Sequence, residues 1–539
     1  MFKPVFFSAL ATILVGLGAV GADPSFAEEP TATDAPKIDG RELFVREWVP
    51  NDSRSHGGDG LGPVFNDTSC VACHNQGGVG GAGPRGKNAT IITAFKSAQN
   101  QHMVMRRNEG ALSRLVGSLF GTNNEKAIGD ESPEEKEAKK KEMIREERER
   151  LTKLHPGFRT ARSVVLHHFG TDDKYASFRS RLNGAGRFGG FAPQITHTHG
   201  IAHDQPAEVE LQARAEQATR RALASRQIGR LKQEAQMAGA GQFFGPSEVD
   251  GFVFLRTERN AIALFGSGKI DSIPEQVIID AAKKKHDGFS GISGRAAKLK
   301  DGRIGRFGWK AQKASLHDFV VTACAVELGL NVPGQPQAGL PHKPKYQAPG
   351  LDLNKNEVTA MVSYLASLPA PQQYQATAKV QRDFISDGST LFAKVGCAAC
   401  HTPQLGDVKG LFSDLLVHDL GPDLGDSGEY GSFAPDSTED EELNEPIPPL
   451  AFNRSAQPQQ KVDESKLVGA KRLEWRTPPL WGVRESSPYL HDGRAATLEQ
   501  AIAFHGGEAN KVTRNYFALS AEERLKVKAF LHSLIGPEG

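Results

Sequence analysis

The chain has 539 residues, which predicts about two to four domains of ordinary size. Hydrophobic residues make up 38% of it and charged residues 24%, which excludes collagen-like, coiled-coil and wholly disordered chains. The net charge is only +1, so the chain has no overall basic field and we expect no nucleic acid as a partner. Five cysteines are too few for a disulfide scaffold of this size.

Residues 1–27 predict a secretory signal peptide. Lys3 provides a positive start, an apolar run follows, and small residues around Ala27 suit cleavage before Glu28. The alternative is a retained membrane anchor, but the apolar run is shorter than about 20 residues and contains glycines. No later stretch is long enough to predict a stable membrane span. We therefore expect cleavage and a periplasmic location.

The order of segments is repeated in the two halves of the chain. In each half a short helical segment precedes a Cys-x-x-Cys-His motif, long loops follow, and an amphipathic helix closes the half, at 356–368 and 521–534. We predict a mainly α fold of two helical domains, 38–372 and 380–537, with a helical insertion at about 100–245 in the first. The strand-like runs alternate too briefly to predict a sheet core.

Each Cys-x-x-Cys-His motif has the residues that attach a c-type haem. The two cysteines can form thioethers with the haem vinyl groups, and the adjacent histidine can bind the iron. A redox Cys-x-x-Cys would not need the histidine, and a zinc site would pair two such units. We therefore predict two covalently bound c-type haems. The attachment residues are Cys70, Cys73 and His74 in the first motif and Cys397, Cys400 and His401 in the second. The fifth cysteine, Cys324, lies in an apolar segment and is expected to be a buried packing thiol.

The sixth ligand of each iron separates electron transfer from catalysis. No methionine follows Met361, so the C-terminal domain cannot provide the methionine ligand of ordinary small cytochromes c. His505 is the preferred ligand of the second haem, because Gly506 and Gly507 behind it let the backbone approach a flat macrocycle. The candidates are His418, His491, His505 and His532.

The sequence offers the first haem no clean sixth ligand. A Gly-rich loop follows His74, the next histidine is His102, and most of the later ones in this half lie in the predicted insertion. We expect the first haem to be open or weakly ligated.

Seven motifs, in order, resemble the di-haem oxidoreductase family (DHOR), a family distantly related to the bacterial di-haem cytochrome c peroxidases and to MauG. The motifs are ELFVREW, CVACHNQGG, GRFGWKA, GCAACHTP, DLLVHDLGP, EWRTPPLWG and YLHDGRAATLEQAIAFHGGEA. The resemblance covers most of the mature chain outside residues 100–245. It implies two cytochrome c-like domains and a peroxidase-like oxidoreductase activity.

The last motif is the most informative about the second haem. In the related peroxidases a similar segment ends at the distal methionine of the electron-transferring haem, and His505 falls at that position. The resemblance thus implies a bis-histidine haem of lower potential than a His/Met haem. It also implies that His491 is a conformational or propionate-contacting residue of the same haem.

The resemblance implies catalytic residues in the first half through a weak echo of the same motif. The echo aligns Ala281 with His505 and Gln276 with a pocket glutamine of the peroxidases. It places His286 where those enzymes have a catalytic glutamate. His286 is either a catalytic acid/base or an ordinary surface histidine. Asp271 is a further candidate pocket acid.

The resemblance also implies a tryptophan between the two haems. Trp309 in GRFGWKA lies between the two haem motifs along the chain and is the candidate. The alternative is an ordinary core aromatic residue.

These observations predict an exported di-haem oxidoreductase. Electrons from an external donor, such as a small cytochrome or a cupredoxin, would enter at the second haem. The open first haem would reduce peroxide or another small oxidant. A pure electron-transfer cytochrome with two six-coordinate irons is the alternative, and a scaffold that docks partners through residues 123–236 is a third reading.

Overall fold

Helices and short strands alternate with long loops in the computed structural model, which describes residues 38–96, 132–159, 161–184, 208–238, 247–343, 346–428, 430 and 468–537. The predicted signal peptide lies outside these residues. The helices are α1 Gly40–Val45, α2 Cys70–Cys73, α3 Pro133–Leu154, α4 Asp173–Gly184, α5 Glu208–Ala238, α6 Ser267–Asp271, α7 Glu275–Ala281, α8 Leu316–Glu327, α9 Lys355–Ser367, α10 Lys379–Val395, α11 Leu498–Phe504, α12 Asn510–Phe517 and α13 Ala521–His532. The strands are β1 Val64–Phe65, β2 Ala89–Lys96, β3 Ser163–Val165, β4 Phe169–Gly170, β5 Ser247–Val249, β6 Phe252–Arg259, β7 Gln404–Leu405, β8 Val408–Lys409, β9 Val417–Asp419 and β10 Glu474–Arg476.

Each haem motif lies, along the chain, between the two helices of a crossed pair. Helix α1 packs on α9 in the first half, and α10 packs on α13 in the second. Each crossing occurs at a glycine: a Cβ on Gly40 would lie 2.0 Å from the carbonyl oxygen of Ala360, and one on Gly388 would lie 2.0 Å from that of Lys526. Only glycine lets the two backbones approach so closely. The two halves therefore share the same kind of helix crossing, with a glycine at the contact.

The helices that follow the loops also begin alike in the two halves. Helices α9 and α13 both start with a capping box, in which the N-cap side chain and a glutamate satisfy each other's backbone amides. Helices α8 and α11 start at Ser315 and Thr497, whose side chains accept from Asp318 and Gln500 backbone N–H groups. The predicted internal repeat is thus visible in local structure.

A four-stranded antiparallel sheet in the order β3-β2-β6-β5 corrects the expectation of no sheet. Ile92 of β2 pairs with Val164 on one side and Arg256 on the other. The first seven residues of β2 are buried, so the strand lacks the alternation of a half-buried strand. The prediction of a mainly α fold is therefore confirmed only in part. Three two-stranded ribbons account for the other strands of the described residues.

The described parts of the predicted insertion pack on both halves. Strand β3 joins the sheet, whereas α5 lies over α11 and α12 of the second half. Ala224 and Leu231 of α5 share a buried cluster with Leu498, and Ala235 packs with Phe504. Residues 39–539 form one compact unit, so the predicted domain borders stay a prediction. None of the helices in the described ranges is long and apolar enough to cross a membrane.

Candidate haem sites

A cavity, here the first cavity, opens beside the first Cys-x-x-Cys-His motif. Cys70, Cys73 and His74 line it, together with residues of α8 and α9. Ser69 precedes the single turn of α2, so both thiols and the imidazole are presented from one short segment. The His74 Nδ1 atom lies 3.1 Å from the Gly81 carbonyl oxygen. Burial lowers the pKa of His74 to about 4, so the ring is neutral at pH 7.

The second cavity repeats this arrangement around Cys397, Cys400 and His401. The His401 Nδ1 atom lies 2.9 Å from the Phe412 carbonyl oxygen, and burial lowers the pKa of His401 to about 4. A phenylalanine stands beside each histidine at a similar distance. The ring centroids are 6.3 Å apart for Phe44 and His74, and 6.4 Å apart for Phe392 and His401.

The residues of both cavities fit a covalently bound c-type haem. All four motif cysteines are free thiols rather than disulfides. In each histidine a backbone carbonyl oxygen lies within hydrogen-bond distance of Nδ1, which favours the tautomer whose Nε2 can bind an iron.

His505 lines the second cavity together with His401. It is the C-cap residue of α11, and its Nδ1 atom lies 2.8 Å from the Ala501 carbonyl oxygen. Burial lowers its pKa, so the ring is neutral. Its Nε2 atom is therefore free in the same way as that of a proximal histidine.

The competing histidines are differently engaged. Both ring nitrogens of His418 face carboxylates, with Nε2 2.9 Å from Asp414 and Nδ1 2.8 Å from Glu508. Although burial opposes its charge, Asp414 and the other partners raise the pKa of His418 well above its usual value, so it is protonated and a poor iron ligand. His532 is exposed. The geometry favours His505, whose ligand role stays a prediction.

His491 also lines the second cavity, but it is held between two tryptophans. Its ring stacks on Trp475 with centroids 3.8 Å apart and meets Trp309 edge-on at 6.4 Å. The Lys310 ammonium lies 3.8 Å from the centroid of the Trp475 ring. This packing agrees with a conformational role for His491, the role implied by the resemblance.

Trp309 is the one tryptophan of the described chain that lines both cavities. Its Nε1 donates to the Asn260 carbonyl oxygen over 2.9 Å, which fixes the ring. The geometry places it where a residue between two haems would be, and its role in electron transfer stays a prediction.

The position that corresponds to His505 in the first cavity is Ala323, not Ala281. Ala323 follows the N-cap Ser315 at the same spacing as His505 follows the N-cap Thr497, and it lines the first cavity. Ala281 ends α7 and does not line it. The geometry therefore favours Ala323 over Ala281 as the counterpart of His505, and alanine is found in either case. The buried Met361 lines the same cavity, with its sulfur 4.0 Å from that of Cys324.

Neither of the two residues predicted from the weak echo lines either cavity, and the further candidate acid does not line them either. Gln276 is exposed and donates to Asp280 over 2.9 Å. His286 is partly exposed in the loop after α7. Asp271 accepts from the backbone N–H of Leu316 over 2.9 Å and so supports the start of α8. The geometry does not favour their catalytic roles, which stay untested predictions.

The first cavity contains an acid that the sequence reasoning missed. Glu327, at the end of α8, lines this cavity beside Tyr430. Asn66 Nδ2 donates to Glu327 Oε2 over 2.6 Å, and the Tyr430 hydroxyl donates to Oε1. Burial raises the pKa of Glu327 above its usual value. Trp309 precedes Ala323 by the same number of residues as His491 precedes His505. This matched spacing is a sequence signal for α8, and so for Glu327.

Comparison with known proteins agrees with the motif-based resemblance. The family described as "Di-haem oxidoreductase, putative peroxidase" matches residues 461–534, a range that contains His491 and His505. The "Methylamine utilization protein MauG" of Methylorubrum extorquens is 30% identical over 153 residues, which are 27% of this chain and 33% of MauG. The "Cytochrome-c peroxidase IdrP2" of Denitromonas iodatirespirans is 26% identical over 226 residues, which are 37% of this chain and 56% of that protein.

The chain thus matches less than two thirds of the length of either relative. Solved structures align with about half of it. A hydrazine synthase of Kuenenia stuttgartiensis is 17% identical with a TM-score of 0.27, over 52% of this chain and 73% of that chain. A MauG-like protein associated with microbial copper homeostasis is 17% identical with a TM-score of 0.24, over 51% and 88%. The predicted resemblance to the di-haem family is confirmed, and with it the prediction of two c-type haems.

Proposed function

We propose that this chain, which resembles the di-haem oxidoreductases, is an exported periplasmic peroxidase-like enzyme. Electrons from an external donor, a small cytochrome or a cupredoxin, would be received at the second haem and would reach the first haem, where peroxide or another small oxidant would be reduced. Two cytochrome c-like halves would hold the two haems. The proposal extends the family likeness, which covers only part of the chain, to the whole protein.

The observation that carries the proposal is the asymmetry between two otherwise similar cavities. Both have a neutral histidine tethered through Nδ1. The second cavity adds His505 at the end of α11, whereas the equivalent position of α8 is Ala323. An alanine cannot bind iron, so the first cavity keeps room for a small ligand.

A bound haem supplies an iron that can accept a peroxide oxygen and the electrons to reduce it. The protein must supply the proton transfer between the two peroxide oxygens. Glu327 is the acid/base that the geometry favours, because it lines the first cavity and its carboxyl is held by Asn66. It takes the proton from one peroxide oxygen and returns it to the departing one.

Trp309 is the proposed bridge for electrons between the cavities. It lines both, and its indole is fixed by the hydrogen bond to Asn260. Trp475 lines only the second cavity, and the positive charge of the Arg259 guanidinium, 5.2 Å from the centroid of its ring, disfavours the loss of an electron from that indole. Trp309 is therefore better suited to electron transfer than Trp475.

A spectrum of the oxidised, full-length mature protein tests the proposal. We expect one low-spin and one high-spin haem by electron paramagnetic resonance. We also expect cyanide to convert only the high-spin signal. Two low-spin haems that resist cyanide would contradict a catalytic first haem.

The second candidate function is a pure electron-transfer cytochrome, which Met361 favours. Its buried thioether lines the first cavity and is chemically able to bind iron. Under this reading Met361→Leu would convert a low-spin first haem to high spin. Under the enzyme reading the substitution leaves the oxidised spectrum unchanged, since Met361 is then only a packing residue of the core that contains Cys324.

A further inference from the structure

We propose that Tyr430 is a positioning residue for Glu327, and that its hydroxyl holds the carboxyl in the ionised, proton-accepting form inside the first cavity. This inference rests on the proposed role of the first cavity. It adds a residue from the second half of the chain to a site otherwise built by the first half.

The contacts of Glu327 suit a carboxylate rather than a carboxylic acid. Each of its two oxygens receives a hydrogen bond, from the Tyr430 hydroxyl at Oε1 and from Asn66 Nδ2 at Oε2. The amide N–H₂ group of Asn66 can only donate a hydrogen bond, and the Tyr430 phenol donates one here. Neither hydrogen bond therefore requires a proton on the Glu327 carboxyl. Donors on both oxygens favour the charged form, against the burial that disfavours it.

Tyr430 is itself a stable donor. Burial, together with the nearby Glu327, raises the pKa of Tyr430 well above its usual value, so its proton stays on the phenol. The ring packs against Ile91, Val165 and Val326, which form one small buried cluster. The hydroxyl is therefore aimed at Glu327 by packing on the sheet and on α8.

The segment that carries Tyr430 is anchored to the first half. Asp426 accepts from Arg259 at 2.5 Å, and the Gly428 carbonyl oxygen accepts a further hydrogen bond from the same guanidinium. The Ser163 hydroxyl donates to the Ser427 carbonyl oxygen over 3.4 Å. These contacts bring the segment after β9 to the first cavity.

Other titratable groups around Glu327 act in known directions. Asp67 raises the pKa of Glu327, and Lys87 pairs with Asp67 and so compensates part of that charge. Cys70 and Cys73 face the same space, but as thioethers they would carry no charge. Arg259 lines the cavity and is paired with Asp426. Tyr430, like Asn66, is a neutral donor to Glu327, so removal of its hydroxyl changes the hydrogen bonding of Glu327 and leaves these charges in place.

The rate of hydrogen cyanide binding to the oxidised mature protein, followed by stopped flow across the acid and neutral range, tests the proposal. A base must take the proton of hydrogen cyanide, so we expect the wild-type rate to rise with pH through the pKa of Glu327. Tyr430→Phe keeps the packed ring and removes one donor. We expect the midpoint to move up by about one to two pH units.

Two further variants separate the possible results. Glu327→Gln should abolish the titration step. Tyr516→Phe is the matched control, because Tyr516 also donates to a glutamate, Glu499 at 3.4 Å, and lines neither cavity; the midpoint should not move. The optical spectrum of each variant checks that both haems are in place.

If Glu327→Gln abolishes the step and Tyr430→Phe leaves the midpoint unchanged, the inference about Tyr430 is wrong and the proposed function stands. If Glu327→Gln leaves the step in place, or the wild-type protein binds no cyanide, the acid/base role fails and the inference about Tyr430 fails with it.

Discussion

One side chain separates the two haem sites at the scale of residues. His74 and His401 have the same Nδ1 tether, the same lowered pKa and a phenylalanine at a similar distance. The residues on the facing helices, His505 and Ala323, differ in whether they can bind a metal. Under the proposed function, this difference of one imidazole would determine which iron can accept a substrate.

We expect His505→Ala to convert the second haem from low spin to high spin. The substitution removes the imidazole whose Nδ1 is held by Ala501 and whose Nε2 is free. Cyanide binding at the first haem should be unchanged. Electron paramagnetic resonance of the oxidised protein measures both effects.

His532→Ala is the control for this prediction, since His532 is an exposed residue of α13. It should leave both spin states as they are. A low-spin signal that survives His505→Ala would instead assign the ligand to His491 or His418, in spite of their present partners.

The sequence predicted the haem attachment residues because the ligands of each haem are adjacent in the chain. The weak echo at residues 260–282 does not lead to Glu327, because the segment with the N-cap that matches Thr497 begins at Ser315. The sequence could not have given Tyr430, whose contact with Glu327 bridges distant parts of the chain. Contacts of this kind depend on the tertiary fold and leave no local pattern.

At the scale of elements, the crossed helix pair supports each haem motif. The sequence DGRELF begins α1, and the similar DGSTLF lies within α10. In the second half the crossing places Phe392 and Phe530 together, with ring centroids 5.2 Å apart, beside His401. The glycine thus determines how closely α10 and α13 approach, and this distance determines where Phe392 and Phe530 lie beside His401.

We expect Gly388→Ala to lower the free energy of unfolding by about 1–3 kcal/mol, because the added methyl forces α10 and α13 apart. Its Cβ would lie 2.0 Å from the Lys526 carbonyl oxygen and 3.0 Å from the Phe530 Cβ. Guanidinium unfolding measures the loss.

Gly229→Ala in α5 is the matched control. Gly229 is a helical glycine with nothing within 4 Å of an added Cβ. Alanine there should raise the free energy of unfolding by about 0.4–1 kcal/mol. Equal effects of the two substitutions would show that the crossing does not depend on the glycine.

The helices could be predicted from sequence and the sheet could not. Helices α9 and α13 carry capping boxes and an amphipathic pattern. Strand β2 is buried on both faces, and its partner β6 follows only after the long segment that contains α3, α4 and α5. Neither periodicity nor proximity in the chain therefore indicated the pairing.

At the scale of the whole molecule, a buried ion pair joins the two halves. Arg259 ends β6 of the sheet, and Asp426 lies in the segment that leads from β9 to Tyr430. The side chains are 6% and 4% exposed, and their closest atoms are 2.5 Å apart. Although burial alone would raise the pKa of Asp426, Arg259 lowers it below its usual value.

We expect Asp426→Asn to lower the free energy of unfolding by about 3–5 kcal/mol at neutral pH, because Arg259 would remain buried without its counter-charge. A carboxyl with a lowered pKa stabilises the fold above its unfolded pKa of about 3.9, and this stabilisation is lost as the pH falls through the folded pKa. The wild-type protein should therefore lose stability over that acid range, and the variant should lack that part of the loss.

Asp423→Asn is the control on the same segment. Asp423 is 43% exposed and pairs with Lys232 at 2.6 Å, so the loss of this pair should lower the free energy of unfolding by about 1 kcal/mol or less. Equal losses from the two variants would contradict a structural role for the buried pair. A loss confined to Asp426→Asn, with weakened cyanide binding at the first haem, would show that the contact between the halves also holds Tyr430 in the first cavity.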